Sequence, residues 1–240
     1  MMKNAIVTGA TKGIGLAVAR MLLVEGYHVT VTYGHDEASA ENCRKVLSEV
    51  SAHFEILRAD QSDKASMHDF VSMMRTKEHV DCLVCNAGTT LRSSLSEITD
   101  EAWERVMQVN VNSNLYLVRD LYDIIPHGSR IVFIGSLMAV HPHGTSLAYG
   151  VSKSALHALA LNLVKNFEGT GTTVNVIAPG FVETEWQATK PENIRQNICR
   201  KTAAGRFASV EEIADGVRLC LNNAFVNGTV LEISGGYSYK

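Results

Sequence analysis

Short runs of β-branched and aromatic residues alternate along the chain with longer segments whose apolar positions recur at helical spacing. Ala5–Thr8 is apolar and short, and a glycine-rich turn follows it. In Gly13–Glu25 the apolar residues Ile14, Ala17, Val18, Met21 and Leu22 share one helix face. The same reading predicts strands at His28–Tyr33, Phe54–Leu57, Val80–Cys85, Arg130–Ile134, Thr173–Ile177 and Val230–Ile233. It predicts helices at Glu37–Val50, Asp63–Met74 with Ser62 as its candidate cap, Asp100–Ile125, Tyr149–Phe167 and Glu211–Leu221. Runs such as Ile131-Val132-Phe133-Ile134 lack polar alternation, which fits a strand buried on both faces. Strand and helix in alternation predict an α/β fold, a doubly wound, mostly parallel seven-stranded sheet with helices on both faces.

No Pro/Ser-rich linker and no internal repeat divides the chain, so residues 1–240 read as one domain. The weakest segment, Glu183–Gly205, is polar and contains Pro191; it is a candidate mobile lid over a substrate.

Composition narrows the function. With 46% hydrophobic and 20% charged residues the chain has a globular balance rather than a disordered one. The net charge of −3 and the absence of a basic stripe argue against nucleic acid and anionic membrane as partners. No apolar run approaches the roughly 20 residues that span a bilayer. Met1-Met2-Lys3-Asn4 leads directly into a short strand, so a cytoplasmic location is expected. The five cysteines, an odd and scattered set, do not suggest a disulfide framework. Cys82 and Cys85 have C-x-x-C spacing, but on a strand that spacing puts the two thiols on opposite faces, as buried strand residues rather than a redox or metal pair. No zinc-binding spacing is present and no metal is expected.

The turn after the first strand reads Thr8-Gly9-Ala10-Thr11-Lys12-Gly13-Ile14-Gly15. Glycines allow a tight turn and a close backbone approach to a pyrophosphate, and the helix behind them aims free N–H groups at it. The spacing T-G-x-x-x-G-x-G resembles the short-chain dehydrogenase/reductase family, whose fold is Rossmann-like. Cys85-Asn86-Ala87-Gly88 resembles the family's N-N-A-G strand end, with Cys in place of the first Asn. Pro179-Gly180, Val182 and Thr184 fall on its P-G-x-x-x-T segment. The resemblance runs from residue 8 to about residue 236. It implies a nicotinamide dinucleotide held by Gly9, Thr11, Lys12, Gly13, Ile14 and Gly15, by Tyr33, by Asp60 and Gln61 at the adenine, by Asn86, Ala87 and Gly88, and by Tyr149 and Lys153. Pro179, Gly180, Val182 and Thr184 would meet the nicotinamide.

An NAD-selective site places a carboxylate at the end of the second strand, where it binds the ribose 2′-OH. Here the strand ends Thr32-Tyr33-Gly34-His35, with no acid before Asp36. Lys12 resembles the basic residue of NADP-dependent members and could pair with a 2′-phosphate. These charges favour NADP(H) over NAD(H). The alternative makes Lys12 a solvated turn residue and Asp36 the cap of the next helix.

Tyr149 and Lys153 lie four residues apart, on one helix face. A free tyrosine titrates at about 10, too high for a base at neutral pH, and a nearby ammonium lowers it. Ser136 lies just after the fifth strand, where the family places the serine that binds the substrate oxygen. Asn110, in Val109-Asn110-Val111, matches the asparagine that kinks the family's long helix and holds a water; Asn112 lies close by. The resemblance implies that Ser136 orients a carbonyl, Tyr149 exchanges the proton, Lys153 tunes Tyr149 and Asn110 supports the relay.

The substrate is less defined. Leu137, His141, His143, Phe181 and Trp186 are candidate pocket residues; the histidines could meet a polar or anionic group or lie solvated. Thr173–Thr184 and Val230–Gly236 are similar to the 3-oxoacyl-acyl-carrier-protein reductase subgroup of fatty-acid synthesis. That implies NADPH-dependent reduction of a 3-oxoacyl thioester, with Arg119 and Arg130 as candidate contacts to an acidic carrier protein. A dehydrogenase of another alcohol, sugar or steroid is the alternative, and a nucleotide-sensing regulator the non-enzymatic one. The family implies a homotetramer or homodimer. Leu156 and Leu163 could face a partner subunit or pack on the sheet.

Overall fold

Seven strands form one sheet in the computed structural model, which describes residues 2–142 and 146–238. They are β1 (Asn4–Val7), β2 (His28–Tyr33), β3 (Phe54–Arg58), β4 (Cys82–Cys85), β5 (Arg130–Ile134), β6 (Thr173–Pro179) and β7 (Val230–Ile233). All pair in parallel, in the order β3-β2-β1-β4-β5-β6-β7. The order reverses between β1 and β4, and a crevice opens at the carboxyl ends of strands at such a switch point. The sheet is wholly parallel, so the doubly wound expectation holds.

Helices cover both faces. α1 (Gly13–Val24), α2 (Glu37–Ser48) and α9 (Val210–Asn222) pack on one, over Val7, Val31, Val84, Val132 and Ile177. α3 (Lys64–Met74), α4 (Asp100–Met107), α5 (Ser113–Leu121) and α6 (Leu147–Leu163) occupy the other, where α3, α5 and α6 bury apolar residues over Ile6, Leu83, Ile131, Phe133 and Val176. Alternate residues of each strand therefore serve opposite layers. Cys82 and Cys85 follow that rule: both are free and buried, one in each layer.

Several elements depart from their predicted form. The stretch Asp100–Ile125 is not one helix. A π-helical turn at Gln108–Asn112 separates α4 from α5, and a 3-10 turn at Tyr122–Ile124 ends the run. Side chains satisfy carbonyls in the turn: Ser113 Oγ donates to Val109 O at 2.8 Å and Asn114 Nδ2 to Asn110 O at 2.9 Å. The cap of α3 is Asp63, which accepts from the Ala65 N–H, because Ser62 is engaged by the Asp60 carboxylate. β4 begins at Cys82 rather than Val80, whose N–H turns aside to Ile124 O. The polar segment 183–205, to which the pattern assigns no element, holds α7 (Glu185–Ala188) and α8 (Glu192–Lys201).

Leu156 and Leu163 pack on the sheet, leaving Leu147, Val151 and Leu161 as the exposed large apolar side chains of α6. Arg130 is no free surface cation: its guanidinium donates to Leu221 O, Gly128 O and Ser129 O and ties β5 to its surroundings. Arg119 is exposed, paired with Asp120 and laid over the Tyr116 ring.

Candidate active site

The strand ends at the switch point wall a cleft of about 400 Å³. Its floor is the turn between β1 and α1. Gly9 holds φ +59°, and a Cβ there would fall 2.8 Å from Ala87, so only glycine lets the two strand ends approach so closely. Asn86 Nδ2 donates to Thr8 O and Gly9 O, both at 2.9 Å, and the Asn86 and Ala87 N–H groups donate to Thr8 Oγ1. β1 and β4 are thereby clamped just below the opening. Lys12 begins α1 without a side-chain cap, so the first N–H groups of the helix remain for a ligand.

The cleft brings most of the expected cofactor residues together. Gly9, Thr11, Lys12, Gly13 and Ile14 line it from the first turn, with Tyr33 at the end of β2 and Asp60 and Gln61 after β3. Asn86, Ala87 and Gly88 line it from β4. Pro179, Gly180, Val182 and Thr184 line it beyond β6, and Tyr149 and Lys153 from α6. Gly15 is set back, close against Asn86. The chemistry fits a dinucleotide: Gln61 is buried at the wall with both atoms of its amide unpartnered among the described residues, a donor and an acceptor suited to a purine edge.

Charge at the cleft differs from the expectation in one respect. Asp36 stands at the rim, because the turn after β2 folds it back onto Lys12. Lys12 Nζ lies 2.9 Å from Asp36 Oδ2 and 3.2 Å from Glu185 Oε2, and the Asp36 contact raises its pKa. Asp36 is also the cap of α2, accepting from the Ser39 N–H and hydroxyl; these bonds first, and Lys12 after them, hold its carboxyl well below the usual range. His35 Nε2 meets Asp60 Oδ2 at 2.7 Å. Burial works to raise the Asp60 carboxyl, but the Ser62 hydrogen bonds and His35 outweigh it and leave it lowered.

At the far end of the cleft Ser136, Tyr149 and Lys153 converge. Ser136 leaves β5 in extended conformation and its Oγ accepts the Met138 N–H at 3.1 Å. Lys153 Nζ donates to Ile134 O at 2.7 Å and sits 5.7 Å from the centre of the Tyr149 ring. Burial drives the Lys153 ammonium down to about 8. The lysine was expected to lower Tyr149; instead burial raises that phenol above its ordinary value, and a hydrogen bond with Ser136 works the other way.

Asn110 lies behind this group, fully buried in the π turn. Its Oδ1 accepts the Thr89 N–H at 2.8 Å, while Nδ2 donates to Thr89 O and Ser152 Oγ. Gly88 leaves room in front: a Cβ there would stand 3.3 Å from Asn110 Oδ1 and 3.5 Å from Lys153 Nζ.

Of the pocket candidates among the described residues only Trp186 lines the cleft. Leu137 is buried, Phe181 packs against the rings of Phe207 and Tyr237, and His141 lies outside the lining. His143 lies outside the described residues. Thr89, Arg105 and Gln187 line the cleft without having been singled out from sequence, since no motif marks them.

Known proteins resemble this chain in sequence and fold. The sequence profile described as short chain dehydrogenase matches residues 3–195. The chain is 32% identical to the 3-oxoacyl-acyl-carrier-protein reductase FabG of Escherichia coli K12, covering 98% of this chain and 96% of that one. It is 30% identical to 2-dehydro-3-deoxy-D-gluconate 5-dehydrogenase of Pseudoalteromonas atlantica, covering 98% and 95%. Among solved structures, a short-chain dehydrogenase/reductase from Serratia marcescens superposes with a TM-score of 0.92 at 30% identity, covering 98% of each chain. A short chain dehydrogenase of Burkholderia cenocepacia in complex with NADP superposes with a TM-score of 0.91 at 26% identity, covering 98% and 97%. The fold, the glycine-walled cleft and these matches together make the chain a member of the short-chain dehydrogenase family.

Proposed function

We propose that this oxidoreductase reduces a ketone to a secondary alcohol with NADPH, and that the ketone is a 3-oxoacyl thioester. The observation that carries this reading is the meeting of Ser136, Tyr149 and Lys153 at the end of a dinucleotide-shaped cleft. The thioester is supported by the likeness to the reductase of Escherichia coli. NADP(H) is supported by the NADP-bound neighbour; Lys12, the cation of the glycine turn, would exchange Asp36 and Glu185 for a 2′-phosphate.

Bound NADPH supplies the hydride. Ser136 donates its hydroxyl proton in a hydrogen bond to the carbonyl oxygen and fixes it beside Tyr149. Tyr149 delivers the proton to that oxygen; burial raises its pKa and so keeps it protonated before the step. The Lys153 ammonium is held by Ile134 O and stabilises the phenolate left behind. Asn110 keeps the π turn and the Thr89 backbone in register with α6 through Ser152. Trp186 and Gln187 line the same cleft.

The test is NADPH oxidation with acetoacetyl-CoA, compared with NADH and with Tyr149→Phe. Turnover that prefers NADPH and falls at least about 10²-fold in the variant, with NADPH binding unchanged, is expected. A second reading, oxidation of a sugar acid, is favoured by the likeness to the Pseudoalteromonas dehydrogenase. Turnover of a sugar acid and not of the thioester would replace the first reading.

A further inference from the structure

His157 stands one helical turn beyond Lys153 and two beyond Tyr149, on the same face of α6. It is buried, 7% exposed, behind the serine rather than in the cleft. Its Nε2 accepts the N–H of Ser136 at 3.3 Å. The space for the ring exists only because residue 135 is glycine: a Cβ there would overlap His157 Nε2 and fall 2.7 Å from Val176 Cγ1. The strand end is otherwise held by the Gly135 N–H, which donates to Ile177 O at 2.7 Å.

We propose that His157 is a positioning residue for carbonyl reduction: its neutral imidazole accepts the Ser136 N–H and so fixes the backbone that presents the Ser136 hydroxyl to Tyr149. The inference rests on the reading of Ser136 and Tyr149 given above. Only the tautomer with its proton on Nδ1 leaves Nε2 free to accept. Burial, and behind it the charge of Lys153, lowers the imidazole to about 4, so it stays an acceptor at neutral pH. Without it the Ser136 N–H, buried at the end of β5, loses its acceptor, and the serine is free to turn away from the phenol.

The experiment compares His157→Leu and His157→Gln in acetoacetyl-CoA reduction, alone and in a Ser136→Ala background. His157→Leu should lower kcat roughly tenfold or more with KM for NADPH unchanged, and His157→Gln, whose amide oxygen can accept, should recover most of that loss. In the Ser136→Ala background His157→Leu should cost nothing further. Unchanged kcat in His157→Leu, an equal fall in both variants, or a full extra loss without Ser136 would overturn the proposal. The ¹⁵N NMR spectrum of the wild-type imidazole tests the same bond without turnover, should the Leu variant not fold. A pyridine-type Nε2 at neutral pH is expected; a protonated Nε2 would sink the idea. Wild-type protein that reduces no carbonyl would refute the functional reading instead, and the NMR result would still decide the hydrogen bond.

Discussion

Lys153 is an ammonium enclosed by protein, and the described residues offer it one hydrogen-bond acceptor, Ile134 O. Its pKa of about 8 leaves it charged below that pH and neutral above it. Tyr149 is shifted the opposite way, upward, so the phenol keeps its proton while the lysine loses its own. Carbonyl reduction should therefore decline as pH rises past about 8, through loss of the ammonium that steadies the phenolate. A pH profile of kcat/KM checks this, and a flat profile between about pH 7 and about 10 would refute it. At this scale the sequence was legible where chemistry and spacing coincide, as in Tyr149 and Lys153 one turn apart. It was silent on His157 and took Arg130 for a docking cation, because the partners of both are backbone groups, which leave no mark in residue type. It also misjudged Asp36, since distance along the chain does not measure distance across a turn.

Elements were legible in proportion to the apolar stripe they bury. α9 buries six residues and was found within a residue at each end. Its start is marked by Ser209 and Glu212, which exchange hydrogen bonds as a capping box; Glu212 also pairs with Arg206. Ser209→Ala should lower stability by about 1 kcal/mol in urea unfolding, with the slope of the transition unchanged. No change would mean that the helix is held by its packing alone. α8, which begins just after Pro191, buries only Ile198, and a pattern so polar carries no amphipathic signature. The π turn was hidden for a different reason. One inserted residue does not interrupt the apolar run, and the side chains that satisfy it, Ser113 and Asn114, are ordinary in type. The expected kink at Asn110 is nonetheless where the helix breaks.

The whole molecule is a sheet with two cores, and that much follows from strands apolar on both faces. Val132 and Ile134 serve one layer while Ile131 and Phe133 serve the other. What the pattern of strands and helices cannot state is their lateral order, which depends on pairings between distant parts of the chain. β1 pairs with β2 soon after it in sequence, but its other edge pairs with β4, where Ala5 faces Cys82. During synthesis β1, β2 and β3 therefore leave the ribosome long before the strand that completes the middle of the sheet. Until β4 arrives, β1 presents an open row of backbone groups, and the loop that joins the two halves must close against its own entropy. Refolding should show the β1–β4 ladder gaining protection in pulsed hydrogen exchange no earlier than β1–β2; the reverse order would contradict it. The switch point that forms the cleft is thus also the seam at which the folding chain is open longest, and a cofactor seated there would reach only molecules in which that seam has shut.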